Sequence, residues 1–171
     1  MSSGVKRVNH TVRGLLDGNT SESLDYVGGV HQLWQAEHRA GQLLNSARLI
    51  TARLDDATAL LTRRVEGAPL CSGSEPEAPP DELVDIYTEG YGDDIEDYLG
   101  RIEQAREALI KPLDTLAAQQ SETMPSAFRD WYRLYLETGN TGSVWGQLAR
   151  AITAHKERWQ QLLTQCGAFP Q

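Results

Sequence analysis

Residues 33–61 read LWQAEHRAGQLLNSARLITARLDDATALL, and this stretch decides the fold. Its apolar residues alternate spacings of three and four: Leu33, Ala36, Ala40, Leu43, Ala47, Ile50, Leu54, Ala57 and Leu61. Because such spacing lines one face of a helix with a heptad seam, we predict a helix over residues 30–66. Alanine at several seam positions lets a partner helix approach closely, which favours an antiparallel neighbour in the same chain or self-association.

The last part of the sequence carries a second heptad pattern. Its seam residues again alternate spacings of three and four: Trp145, Leu148, Ile152, His155, Trp159, Leu162 and Cys166. Between the two patterns, apolar periodicity predicts a long helix over about 93–120 that kinks at Pro112. Ahead of that helix we expect a short helix after Asp81, interrupted by Gly90 and Gly92.

Two shorter helices complete the prediction. The first contains Val5 and is ended by Gly18, and the other begins at Pro125. The second has an aromatic face, which could be an exposed recognition surface but at helical spacing is more often part of the core. That face consists of Phe128, Trp131, Tyr132 and Tyr135. Proline and glycine make 66–80 a flexible loop, and no stretch alternates as a strand does. We therefore expect one all-α domain over 1–171, a helical bundle of four to five helices with two long heptad-patterned helices.

Charge is distributed unevenly along the chain, whose net charge is -8. The segment from Glu66 to Asp97 holds eleven acidic residues and no lysine or arginine, so the remainder carries 16 basic and 13 acidic residues. Direct binding to nucleic acid is not expected, because counterion release from phosphates needs clustered cations. The strong preference for arginine over lysine is typical of a GC-rich bacterial or phage genome.

The sequence favours a cytoplasmic protein with reduced thiols. No apolar run reaches the roughly 18 residues that a bilayer span requires, and no hydrophobic stretch follows the first charged residues. Cys71 and Cys166 form no CxxC pair and show no dense spacing of a disulfide scaffold. We accordingly expect no membrane association and no zinc site.

Histidine and cysteine give little support for catalysis. His31 and His38 share a helix face, but Gln35 stands where a di-iron helix would carry glutamate, so we predict no metal site there. His155 lies on the core seam and is expected to be neutral and hydrogen bonded. No serine or cysteine has a nucleophile motif, so we expect no cofactor and no catalytic residue.

The acidic segment is the most unusual feature of the chain. Glu82 and Asp85 have the Glu-x-x-Asp spacing with which all-α nucleotide pyrophosphatases hold magnesium, but Asp55 and Asp56 on the preceding helix are adjacent instead of three apart. No family resemblance follows. A solvated acidic surface remains one interpretation. The other is a docking surface for a protein partner, either simply basic or itself nucleic-acid-binding, because tyrosines lie among the carboxylates.

We adopt the docking interpretation as the hypothesis for function. The protein is then a non-enzymatic interaction module, a small bacterial or phage accessory, adaptor or inhibitor subunit. Its predicted partner-binding residues are Glu82, Asp85, Tyr87, Tyr91, Asp93, Asp94, Glu96 and Asp97. The alternative is a metal-dependent all-α hydrolase acting on a nucleotide or phosphoester through the same carboxylates. Self-association into a homo-oligomer is left open.

Overall fold

The computed structural model describes residues 2–21, 23–71 and 81–166, without the side chains of Ser2 and Glu82. Within these residues there are five helices and no strand. Helix α1 is Ser2–Leu16; α2 comprises Val27–Glu37 and Arg39–Glu66; α3 covers 81–118; α4 is Ser126–Tyr135; and α5 is Val144–Thr164. The predicted all-α bundle with two long helices is confirmed. No described helix is long and apolar enough to cross a membrane.

Helix α2 is interrupted at His38, where the prediction of an unbroken helix over 30–66 is wrong. His38 takes a left-handed conformation with φ 49° and ψ 17°, and its N–H bonds the carbonyl of Trp34. The seam is buried from Leu43 to Leu54, whereas Leu33 is 44% exposed. A heptad pattern shows which face could be buried, but the segment before His38 buries no residue. Without that packing, little holds the two segments in one regular helix.

Helix α3 alternates between α and π geometry. Its segments are Asp81–Asp85 (α), Ile86–Ile95 (π), Glu96–Ala105 (α), Arg106–Ile110 (π) and Lys111–Ala118 (α). The predicted interruption at Gly90 and Gly92 is therefore a widening of the helix, not its end. The helix also continues past Pro112 to Ala118. Just before the proline, the N–H of Lys111 bonds the carbonyl of Arg106, five residues back, as in a π-helix.

The predicted loop over 66–80 begins where α2 ends at Glu66, and residues 67–71 have no regular structure. Residues 72–80 lie outside the described part of the chain. Two compact units divide the chain: Met1–Ala47 with Ile102–Gly146 (unit 1), and Arg48–Arg101 with Gln147–Gln171 (unit 2). Each unit thus combines two stretches that are distant in sequence.

In unit 1, α1 packs along residues 106–118 of α3. Val5 is fully buried, and the Asn9 side-chain amide donates to the carbonyl of Pro112 over 2.7 Å. Helix α4 buries none of its residues. Phe128 and Trp131 are each 42% exposed and stack on one another with ring centroids 5.6 Å apart. The expectation that the aromatic face belongs to the core is wrong for these two side chains.

In unit 2, the end of α2, the start of α3 and the bulk of α5 pack together. Thr58 contacts His155 and the Gln165 amide donates to the carbonyl of Val65, so α2 and α5 run in the same direction. Helix α5 is thus a parallel neighbour of the end of α2. The seam of α5 is buried as predicted, apart from Ile152, which is half-buried.

Cys71 and Cys166 form a disulfide with a Cα–Cα distance of 5.2 Å, so the prediction of reduced thiols is wrong. The two residues are 95 positions apart. Local spacing gave no sign of this pair, because only the parallel course of α2 and α5 brings the residue after α2 to the end of α5. The Gln165 side chain also accepts a hydrogen bond from the Leu70 N–H at this junction.

Candidate functional site: the acidic surface of α3

The predicted carboxylates of α3 are exposed to solvent. The acidic surface is defined here by six side chains: Asp85, Glu89, Asp93, Asp94, Glu96 and Asp97. Glu82, also predicted as a site residue, has its side chain outside the described part of the structure. Glu96 pairs with Lys156 over 2.7 Å, but both side chains are about half exposed, so solvent screens this pair. The structure therefore displays a concentrated negative charge with little internal compensation.

The two predicted contact tyrosines point inward. Tyr91 is only 4% exposed and its ring lies 4.9 Å from that of His155. Tyr87 is half-buried, with its ring 5.4 Å from Trp159 and 6.1 Å from Tyr91. Because the earlier tyrosine contacts the later residue of α5, α3 and α5 are antiparallel here. Both tyrosines therefore anchor the acidic surface to α5, and Tyr91 offers almost no area to a partner.

Burial also sets the ionisation of Tyr91. It raises the pKa of the phenol to about 12, with a further contribution from the negative charge of Glu96. The hydroxyl oxygen is buried and has no hydrogen-bond partner among the described residues. At neutral pH this side chain is uncharged and adds nothing to the negative charge of the surface.

His155 contacts residues of all three packed helices: Tyr91 on α3, Thr58 on α2 and Trp159 on α5. It is 5% exposed, and its Nε2 accepts a 3.0 Å hydrogen bond from the Trp159 indole N–H. Because Nε2 accepts, the proton of the neutral ring resides on Nδ1, which lies 3.1 Å from the Thr58 hydroxyl oxygen. Burial lowers the pKa of His155. The expectation of a neutral, hydrogen-bonded core histidine agrees with this geometry, and neither ring nitrogen is free to act as a base.

The described residues bring together no group of three or more histidine, cysteine, aspartate or glutamate side chains that could hold a metal ion. Asp55 and Asp56 are exposed, and Asp56 pairs with Arg53 over 3.0 Å. His38 ends the first segment of α2, so it does not continue the helix face that carries His31. The carboxylates thus form a surface and not a converging site.

Fold and site together define an all-α protein with an acidic surface on one helix. The same helix packs on α5 through the rings of Tyr87, Tyr91, His155 and Trp159. The chain belongs to the DUF3080 family, proteins of unknown function, whose family model matches residues 2–170. No curated protein and no solved structure matches the chain.

Proposed function

We propose that the protein is a non-enzymatic interaction module, an accessory, adaptor or inhibitor subunit that binds a basic protein partner through the acidic surface. The observation that carries the proposal is the exposure of six carboxylates between Asp85 and Asp97. Concentrated charge of one sign steers an oppositely charged partner into contact and disfavours partners of like charge.

The anchoring of α3 supports this role in a second way. Because Tyr87 and Tyr91 pack on Trp159 and His155, the acidic surface is held on a fixed backbone, and binding need not order a flexible segment. Ile86 lies in the same segment and is 59% exposed, which provides an apolar contact beside the charges. Ile86, and not the buried Tyr91, therefore offers an exposed apolar side chain that a partner can contact.

The disulfide bears on where this binding takes place. Stable disulfides persist in oxidising compartments and are rare in the cytoplasm. The Cys71–Cys166 pair therefore favours an oxidising compartment over the cytoplasm that the sequence suggested. Such a location favours a basic protein over a nucleic-acid-binding one as the partner.

The test neutralises the acidic surface. The variant Asp85→Asn, Glu89→Gln, Asp93→Asn, Asp94→Asn should lose partners that the native protein recovers from source extract, with the loss most evident at low ionic strength. A matched control, Asp55→Asn, Glu122→Gln, Asp130→Asn, Glu157→Gln, removes four exposed carboxylates elsewhere and should keep those partners. Identical partners for all three proteins would remove the acidic surface from the proposal.

The hydrolase alternative receives no support from the described geometry, because its carboxylates do not converge. Thermal unfolding with and without magnesium or manganese distinguishes the two functions. A ligand that binds only the folded state raises its stability by mass action, so a clear rise of the melting temperature at millimolar metal would favour the hydrolase.

A further inference from the structure

Helix α4 in unit 1 turns its apolar side chains to solvent. Phe128, Trp131 and Leu134 are 42%, 42% and 48% exposed, and their spacing of three residues places them along one side of the helix. Tyr135 extends this side, with its ring 5.5 Å from that of Trp131. These four side chains are called the α4 face below. A surface helix normally buries such a stripe against the core, so an exposed one indicates a contact surface.

Polar bonds on the other side of α4 fix this orientation. The Tyr132 hydroxyl donates to Asp114 of α3 over 2.6 Å. The Arg129 guanidinium donates to the carbonyls of Ser121 and Met124 over 3.2 and 3.3 Å. Turning the α4 face inward would break all three hydrogen bonds. The face is therefore held outward by the fold.

One flank of the α4 face carries an exposed charge of each sign. Asp130 and Arg133 lie three residues apart, and neither forms an ion pair with any described residue. When two copies of a helix pack antiparallel across a two-fold axis, the same flank of each copy meets the other. An axis that crosses α4 between Trp131 and Tyr132 sets Asp130 opposite the partner's Arg133, and this pair forms twice. The flank is thus complementary in charge to a second copy of itself.

The same axis matches the apolar side chains. It brings Trp131 against the partner's Trp131 at the centre, and it sets Phe128 opposite the partner's Tyr135. Central aromatic side chains contribute most of the binding free energy at many interfaces. An anionic lipid surface is a poorer fit, because Asp130 lies on the exposed flank and Arg129 is already bonded to carbonyls of its own chain.

We propose that α4 is the contact surface of a two-fold symmetric dimer, in which the α4 faces of two copies pack antiparallel. Burial of the aromatic side chains provides the affinity, and the paired charges set the register. The apolar surface continues from Phe128 into a pocket of about 250 Å³ that Leu116 and Met124 also line, which adds area for contact. Because α4 is only about 15 Å long, we expect dissociation in the micromolar range. The dimer uses none of the carboxylates of the acidic surface.

Sedimentation velocity over a hundredfold range of concentration, at physiological ionic strength, tests the proposal. The native protein should shift from monomer to dimer, and Leu134→Glu should dissociate at least tenfold more readily because it buries a charge at the contact. The control Leu60→Glu makes the same substitution at a leucine of α2 that is 64% exposed, and it should dimerise like the native protein. A native protein that stays monomeric, or equal weakening in both variants, would overturn the proposal.

Charge reversal tests the antiparallel register. Asp130→Arg and Arg133→Asp should each weaken the dimer about tenfold, because like charges then face one another twice. An equimolar mixture of these two variants should dimerise like the native protein, since every arginine again faces an aspartate of the other chain. Loss of helix stability alone would affect both variants without any recovery on mixing. Failure of the mixture to dimerise would therefore overturn the paired register.

Two further measurements separate this dimer from other partners of α4 and from the acidic surface. Vesicles of phosphatidylglycerol should not sediment the native protein, and sedimentation that Leu134→Glu abolishes would replace the second copy with a lipid surface. The variant with a neutralised acidic surface should dimerise like the native protein. The dimer and the proposed binding of a basic partner can therefore fail separately.

Discussion

At the scale of single residues, the hydrogen bonds of the buried His155 ring depend on its protonation. His155 accepts from Trp159 at Nε2 and donates to Thr58 at Nδ1, so its ring has a partner on each side only when it is neutral. A proton on Nε2 would face the Trp159 N–H, donor against donor. Burial independently lowers the pKa of His155, which also favours the neutral ring.

His155 should make the folded state sensitive to acid. Its pKa is below its ordinary value of 6.5 in the folded chain, so the unfolded chain binds more protons. The free energy of unfolding should then fall as the pH drops below 6.5 and through the lower folded pKa. His155→Phe should unfold about 1–3 kcal/mol more easily at pH 8, because the Trp159 N–H loses its acceptor, but should lack this pH-dependent loss.

Urea unfolding at a series of pH values measures both effects. His10→Asn serves as the control, because His10 is exposed and its replacement should leave the pH dependence intact. A pH profile that is the same in His155→Phe and the native protein would show that another group titrates in this range.

At the scale of helices, one carboxylate fixes α4 and the turn after it to α3. Asp114 on α3 accepts a 2.6 Å hydrogen bond from the Tyr132 hydroxyl with one oxygen. With the other oxygen it accepts from the backbone N–H and the hydroxyl of Thr138. Because α4 buries none of its residues, these polar contacts take much of the role that apolar packing has elsewhere.

Asp114→Ala should therefore loosen α4. We expect a loss of about 2–3 kcal/mol in the free energy of unfolding, since donors of Tyr132 and Thr138 lose a charged acceptor. The pKa of Tyr132, which burial and the Asp114 hydrogen bond raise far above 10, should move back towards that value. Spectrophotometric titration of the tyrosines measures this shift. Tyr132→Phe, the control, should cost less and should abolish the shifted titration, and an unchanged Tyr132 titration in Asp114→Ala would contradict the assignment.

At the scale of the whole molecule, each unit is built from two stretches of chain that are far apart in sequence. Unit 2 combines residues 48–101 with residues from 147 onward, and the Cys71–Cys166 bond joins these two stretches covalently. A cross-link of this kind restricts the unfolded chain, and for a loop of this length the entropy contribution is about 4.7 kcal/mol.

Reduction should accordingly lower the stability of the protein. Dithiothreitol should decrease the melting temperature of the native protein to that of the variant Cys71→Ser, Cys166→Ser, and the variant itself should not respond to the reductant. When the native protein is alkylated without prior reduction, mass spectrometry should find neither Cys71 nor Cys166 alkylated. Free thiols in protein purified under non-reducing conditions would contradict the pairing and the proposed oxidising compartment.

The sequence by itself determined the helical class, the buried seam of α5 and the location of the negative charge. Those features depend on local periodicity and composition, and periodicity records which side of a segment is apolar. It could not show the break at His38, because a seam is buried only where a partner exists. It also assigned Phe128 and Trp131 to the core, although α4 leaves both exposed.

Only the tertiary structure decided which residues meet across long sequence separations. It joined Cys71 to Cys166, turned Tyr91 towards His155 and bonded Asn9 to the carbonyl of Pro112. Each of these contacts depends on the direction and register of two helices that are far apart in the chain. The free energy that selects such an arrangement comes from packing summed over many residues, and no local pattern contains it.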